Sequence, residues 1–205
     1  MTKNKSVNKS IILIGKPGAG KGTFAKKMEK EQGYYHLGGS DLLRENSMDE
    51  SAKYYKEARH ALSTGILVSD EIINGMFHEK MKSLKGRDIV FDGFPRSIEQ
   101  AKAILSYYPN SEGLKAIYLD VPDEELVHRI VSRITCSKCS ASYSSDHVKN
   151  AFSPSVEGVC DECGGDLIKR VDDNEETLKT RLEQYSLHTA PLIDFFKKHM
   201  DFETI

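Results

Sequence analysis

Apolar and polar positions along the chain follow two alternating rhythms. Short runs rich in Ile, Val, Leu and Tyr at 10–15, 34–37, 88–92, 115–120 and 201–205 have the length and composition of strands. Between them lie longer stretches whose apolar residues recur at three and four positions, predicting helices over 20–31, 41–45, 49–63, 69–83, 97–107, 123–134 and 173–199. The last opens on Asp172-Asp173-Asn174-Glu175-Glu176, acidic groups set against the positive end of a helix dipole. Strand and helix in alternation specify βαβ units around a parallel sheet. Two stretches break the rhythm: 39–68, made of short helical pieces, and 135–170, rich in Cys, Ser and Gly. Neither has the apolar residues for a large core of its own, so both read as movable insertions on the sheet domain.

The chain has 205 residues, 39% of them hydrophobic, and 29 basic against 31 acidic side chains. That balance excludes disorder and provides no whole-chain basic field to draw the protein onto nucleic acid or an anionic membrane. The longest apolar runs, 11–14 and 116–119, fall far short of the roughly 20 residues that span a bilayer. The Lys/Asn/Ser-rich opening lacks the apolar stretch and cleavage site of a secretory signal, so a cytoplasmic protein is expected.

Candidate chemistry begins at Gly15-Lys16-Pro17-Gly18-Ala19-Gly20-Lys21-Gly22-Thr23, which follows an apolar strand and opens a helical pattern. Glycines let backbone N–H groups surround phosphate oxygens, the helix start adds its dipole, and Lys21 supplies a point charge. Gly22 stands where a Ser or Thr ligand for Mg²⁺ is usual, so coordination through water is expected. The 88–92 strand runs into Asp92-Gly93-Phe94-Pro95-Arg96-Ser97, with Gln100 a turn beyond. At the carboxyl end of a parallel sheet, Asp92 can hold the hydration shell of Mg²⁺ while Arg96 grips a phosphate with two hydrogen bonds. Arg129 and Arg133, four apart on one predicted helix face, together with Arg170 and Arg181, suit phosphoryl transfer, which asks mainly for positioning and cations.

Cys136-x2-Cys139 and Cys160-x2-Cys163, with 20 residues between the pairs, have the spacing of a tetrathiolate zinc ribbon, a closed and therefore structural site. The 136–163 segment carries Lys138 and Lys149 against Asp146, Glu157, Asp161 and Glu162, a poor face for nucleic acid.

In order along nearly the whole chain, the glycine loop, Asp41-Leu42-Leu43-Arg44, Gly65-Ile66-Leu67-Val68, Asp92-Gly93-Phe94-Pro95-Arg96 with Gln100, Arg129 with Arg133, and Arg170-Val171-Asp172-Asp173 with Arg181 resemble the bacterial type of adenylate kinase with a long zinc-bearing lid. The resemblance implies a three-layer α/β P-loop kinase fold: a core of 1–38, 69–132 and 174–205, a monophosphate-binding insertion at 39–68 and a lid at 133–173. It implies ATP on Gly18, Ala19, Gly20, Lys21, Gly22, Thr23, Arg129, Arg133 and Tyr143. AMP would contact Gly39, Arg44, Ile66, Leu67, Val68, Gly93, Phe94, Pro95, Arg96, Gln100, Arg170 and Arg181. Catalysis would rest on Lys21, Arg96, Arg133, Arg170 and Arg181, with Mg²⁺ near Asp92 and structural Zn²⁺ on the four cysteines. The expected activity is ATP plus AMP to two ADP by a monomer; a CMP or UMP kinase, or a weakly catalytic nucleotide-binding zinc-ribbon regulator, are the alternatives. Three departures stand out. Gly39-Ser40 replaces the family's Thr-Gly, the lid is longer between Tyr143 and Cys160, and the family pattern continues past the position of Ile205 into a loop that touches the ATP adenine and a final helix.

Overall fold

The computed structural model describes residues 9–64, 68–146, 152–169, 173 and 175–205. Five strands, β1 (Ser10–Gly15), β2 (Tyr35–Gly38), β3 (Ile89–Asp92), β4 (Leu114–Leu119) and β8 (Asp201–Thr204), form one sheet in the order β2-β3-β1-β4-β8, every pair parallel. All six residues of β1 are buried, as a central strand covered on both faces requires. Three further strands, β5 (Arg133–Cys136), β6 (Ser142–Ser144) and β7 (Leu167–Ile168), make a separate antiparallel sheet ordered β6-β5-β7. The 135–170 stretch, weakly periodic in sequence, thus contains cross-strand pairing among its described residues.

The helices are α1 (Lys21–Gln32), α2 (Gly39–Met48), α3 (Tyr55–Thr64), α4 (Asp70–Ser83), α5 (Ile98–Leu105), α6 (Asp123–Val131), α7 (Glu175–Gln184) and α8 (Pro191–His199). Three expectations need correction. The helix predicted to begin at 49 begins at Tyr55, because Asp49 Oδ1 accepts from both the Ser51 N–H and the Ser51 hydroxyl and holds a turn there. The helix predicted to reach 134 stops at Val131; β-branched Ile134 and Thr135 pair with Tyr143 and Ser142, so Arg133 lies on a strand and not on a helix face with Arg129. The single helix predicted over 173–199 is α7, a π-helical turn at Tyr185–Thr189, and α8. Pro191 has no N–H to continue a helical ladder, and the Ala190 N–H closes the wider turn on Tyr185 O at 2.8 Å.

The main core packs Ile12, Ile14, Leu37, Phe91, Phe94, Phe77, Met76, Ile104 and Phe196 between sheet and helices. Phe77 is its hub, with ring centroids 4.9 Å from Phe94, 5.5 Å from Tyr107 and 6.2 Å from Phe91. Among the described residues no helix is long and apolar enough to cross a membrane. Because Phe77 is fully buried, Phe77→Ala removes about 3–5 kcal/mol. Thermal denaturation should show a melting point lower by about 10 °C.

Candidate active site

The glycine loop joins β1 to α1. Gly18 and Gly20 sit at φ +86° and +97°, in the left-handed region that glycine enters without strain, and a Cβ on Gly18 would lie 3.0 Å from Ile130 of α6. No side chain caps α1 and its first turn has no acidic residue, so its leading N–H groups are available to an anion. Lys21 Nζ folds back over the loop to Gly15 O at 2.6 Å and Lys16 O at 3.0 Å. Lys16, the second residue of the loop, turns outward to Asp123 Oδ1 at 2.6 Å.

Around this loop the sheet brings together charges far apart in sequence. Burial is the main cause that pushes the Lys21 ammonium down to about 8; Asp92 opposes it, while Arg96, Arg181 and Arg133 add to it. Arg96 is exposed in area yet crowded: desolvation first, then Arg181, holds its guanidinium below its ordinary value, and its Nε donates to Gly93 O at 2.9 Å. Arg133 is gripped by both oxygens of Asp173, with Nε to Oδ2 at 2.7 Å and Nη2 to Oδ1, and Arg181 Nη1 lies 3.9 Å from the same Oδ1. The Asp173 side chain is entirely buried, so this carboxylate aims two of the predicted arginines. Sequence reading took Asp173 as a dipole partner; its role depends on a residue 40 positions earlier.

Asp92 lies beside the start of α1, where a Cβ on Gly22 would come within 3.3 Å of its Oδ2. The space a Ser or Thr would need at position 22 is therefore shared with a carboxylate. His36 Nε2 stands 3.3 Å from the same oxygen, and although burial lowers its pKa, the hydrogen bond and charge of Asp92 outweigh it and leave it raised. Nothing in the sequence marks His36 as a partner of Asp92; only the register that pairs Gly38 with Asp92 does.

The other expected residues are more dispersed. Arg44 is exposed and paired to Asp41 Oδ1 at 2.7 Å; Arg129 is exposed and paired to Glu125 at 2.9 Å. Val68 packs against the main core, and Phe94 is buried within it, so the Phe94 ring serves the core. At Gly39 a Cβ would meet Gly93 O at 3.0 Å, which explains a glycine there, and Ser40 points to solvent. Thr23 is exposed. Ile66, Leu67 and Arg170 lie outside the described residues.

The four cysteine sulfurs lie within 4.8 Å of one another, with Cys136–Cys163 at 3.4 Å and Cys139–Cys160 at 3.6 Å. Tetrahedral zinc at about 2.3 Å from each sulfur sets them about 3.8 Å apart, a spacing that the cluster brackets. Tyr143, expected at ATP, gives its hydroxyl to this cluster: it lies 3.3 Å from Cys160 Sγ and accepts from Asp161 N–H at 2.9 Å. That hydrogen bond is the main cause lowering the Cys160 thiol to about 6, toward the thiolate a metal requires. Lys26 of α1 donates to Cys139 O at 2.8 Å, linking the cluster to the helix that the glycine loop opens.

A parallel sheet with a strand–glycine loop–helix at its centre and convergent cations at its carboxyl ends defines a P-loop phosphotransferase. The family model for adenylate kinase matches residues 13–201. An adenylate kinase of Mesoplasma florum is 39% identical over 195 residues, covering 94% of this chain and 89% of the relative. That of Caldicellulosiruptor bescii is 40% identical, covering 91% and 86%, and that of Haloarcula marismortui 38% identical, covering 97% and 89%. The chain belongs to the adenylate kinase family.

The lowered pKa of Lys21 gives a signed pH dependence. A polyphosphate held at Lys21 would select the protonated ammonium, so above about pH 8, where the free chain sheds this proton, ATP affinity should fall and binding should take up a proton. Calorimetry between pH 7 and 10 in buffers of different ionisation enthalpy should record that uptake, and Lys21→Met should abolish it.

Proposed function

We propose that the chain transfers a phosphoryl group reversibly from Mg·ATP to AMP, giving two ADP, as a monomer in the cytoplasm. The observation that carries this reading is the convergence of Lys21, Arg96, Arg133 and Arg181 on one crevice beside Asp92. The uncapped start of α1 and Lys21 would hold the donor's phosphates. Arg96, with Arg44 and Arg170, would hold the acceptor phosphate, and Gln100 would meet its base. Arg133 and Arg181, aimed by Asp173, would close over the group in flight, where charge spreads onto three equatorial oxygens. Asp92 would hold Mg²⁺ through water, and the ion would supply charge neutralisation to the donor's phosphates. No general base is needed, since the acceptor oxygen is already anionic. The chain's part is alignment, charge neutralisation and exclusion of water by 39–68 over AMP and 133–173 over ATP.

Zn²⁺ on Cys136, Cys139, Cys160 and Cys163 would give the lid a core that its few apolar residues cannot. Among the described residues the cluster buries Cys136, Ala141 and Cys160, with Cys139, Tyr143 and Leu167 packed on them. Closed coordination leaves no position for substrate. Four free thiols arranged as ligands also suit a reducing compartment.

A coupled ADP-formation assay across AMP, CMP, UMP and GMP should give strong preference for AMP; equal turnover of CMP would refute the acceptor assignment. Lys21→Met and Arg96→Ala should each lower kcat/KM by at least about 100-fold with melting unchanged, as loss of a transition-state cation demands. Chelation, or Cys139→Ser, should release one zinc per chain and lower the melting temperature while activity persists in the cold. A folded, metal-free and wholly inactive protein would assign the ion to the reaction instead.

A further inference from the structure

Gln100, buried at the start of α5, has its side-chain amide held at both ends. Oε1 accepts from the Arg96 N–H at 2.7 Å, and Nε2 donates to Asp70 Oδ1 at 2.7 Å. Asp70 opens α4 and is itself fixed, since its Oδ2 accepts from the Ser97 hydroxyl at 2.7 Å. Ser97 Oγ in turn accepts from the Gln100 N–H at 3.2 Å. The two partners of the amide cannot exchange roles: a backbone N–H only donates and a carboxylate only accepts. Rotating the amide by half a turn would set NH₂ against N–H and a carbonyl oxygen against a carboxylate.

Among the described residues each end of the held amide makes one bond, which leaves a single N–H on Nε2 and a single lone pair on Oε1. That donor and acceptor in fixed order complement a base edge with an unprotonated ring nitrogen beside an amino group. They oppose an edge with a ring N–H beside a carbonyl. A freely turning glutamine would serve either edge, so the fixed orientation, and not the presence of an amide, is what discriminates.

We infer that Asp70 is a positioning residue for substrate choice: by fixing the orientation of the Gln100 amide it makes the acceptor site select 6-aminopurine over 6-oxopurine monophosphates. The inference rests on the reading that Gln100 faces the acceptor's base, and it extends that reading to a residue on another helix. The edge that a locked amide rejects leaves buried polar groups unmatched, an effect of roughly 10- to 100-fold in kcat/KM.

The test compares AMP with IMP, which differ only at this edge, using Mg·ATP as donor and measuring melting alongside. The parent enzyme should favour AMP by at least about 10-fold, and Gln100→Ala should erase that ratio. Asp70→Ala should erase it as fully, mainly through a higher KM for AMP and a lower one for IMP, with kcat for AMP little changed. Asp70→Asn should restore most of it, because the Asn carbonyl can accept from Gln100 while its NH₂ donates to Ser97 Oγ. Should the alanine variant not fold, Asp70→Ser, a residue suited to a helix start, replaces it with the same expected loss. A folded Asp70→Ala or Asp70→Ser enzyme with the parent's ratio overturns the inference while leaving the Gln100 reading intact. Equal losses in Asp70→Asn and Asp70→Ala overturn it too, since charge rather than the hydrogen bond would then be at work. If Gln100→Ala keeps the parent's ratio, the reading of Gln100 as the base contact fails, and the inference falls with it.

Discussion

Like charges crowded into one crevice are the constraint to which the rest of the molecule answers. Lys21, Arg96, Arg133 and Arg181 stand within one another's fields, opposed by Asp92 and Asp173. Left alone such a cluster is self-repelling; burial is the main cause of the depressed pKa of Lys21, and the three arginines add to it. Two devices hold it. The buried Asp173 takes Arg133 with two hydrogen bonds and stands close to Arg181, and the parallel sheet fixes the loops that carry Lys21, Asp92 and Arg96 at one edge. A polyanion in the crevice would relieve the repulsion among these cations.

The 133–168 region meets a different problem by different means. Among its described residues the apolar cluster is small, and its short antiparallel strands pair across two or three residues each. Four thiols lie within 4.8 Å of one another, close enough to share one ion, and Tyr143 of β6 reaches Cys160 among them. The sheet domain is built on packing around Phe77, whereas this region is built around its cysteines.

Legibility from sequence followed the range of the interactions involved. The glycine loop, the strand ahead of it and the cysteine pairs were readable because spacing within a few residues dictates their geometry. Strand ends were displaced by one residue at most. The turn from α6 into β5 was not readable: β-branched Ile134 and Thr135 lean toward a strand, but residues 133–136 form one because Ser142–Ser144 and Leu167–Ile168 lie beside them. Asp173, His36 and Asp70 were hidden for the same reason. Each acts on a partner 27 to 56 residues away, and an acid or histidine at a helix or strand terminus has an ordinary local explanation that conceals the distant one.

The link from Lys26 to the Cys139 carbonyl ties these two parts together. It joins the helix under the phosphate loop to the cysteine cluster, across 113 residues of chain, and its charged donor makes it one of the stronger hydrogen bonds, at about 1.5–3 kcal/mol. Any displacement of the cluster from α1 would have to break this bond first, so an uncharged residue at 26 would loosen the cluster's hold on the helix while leaving the four sulfurs and the glycine loop themselves unchanged.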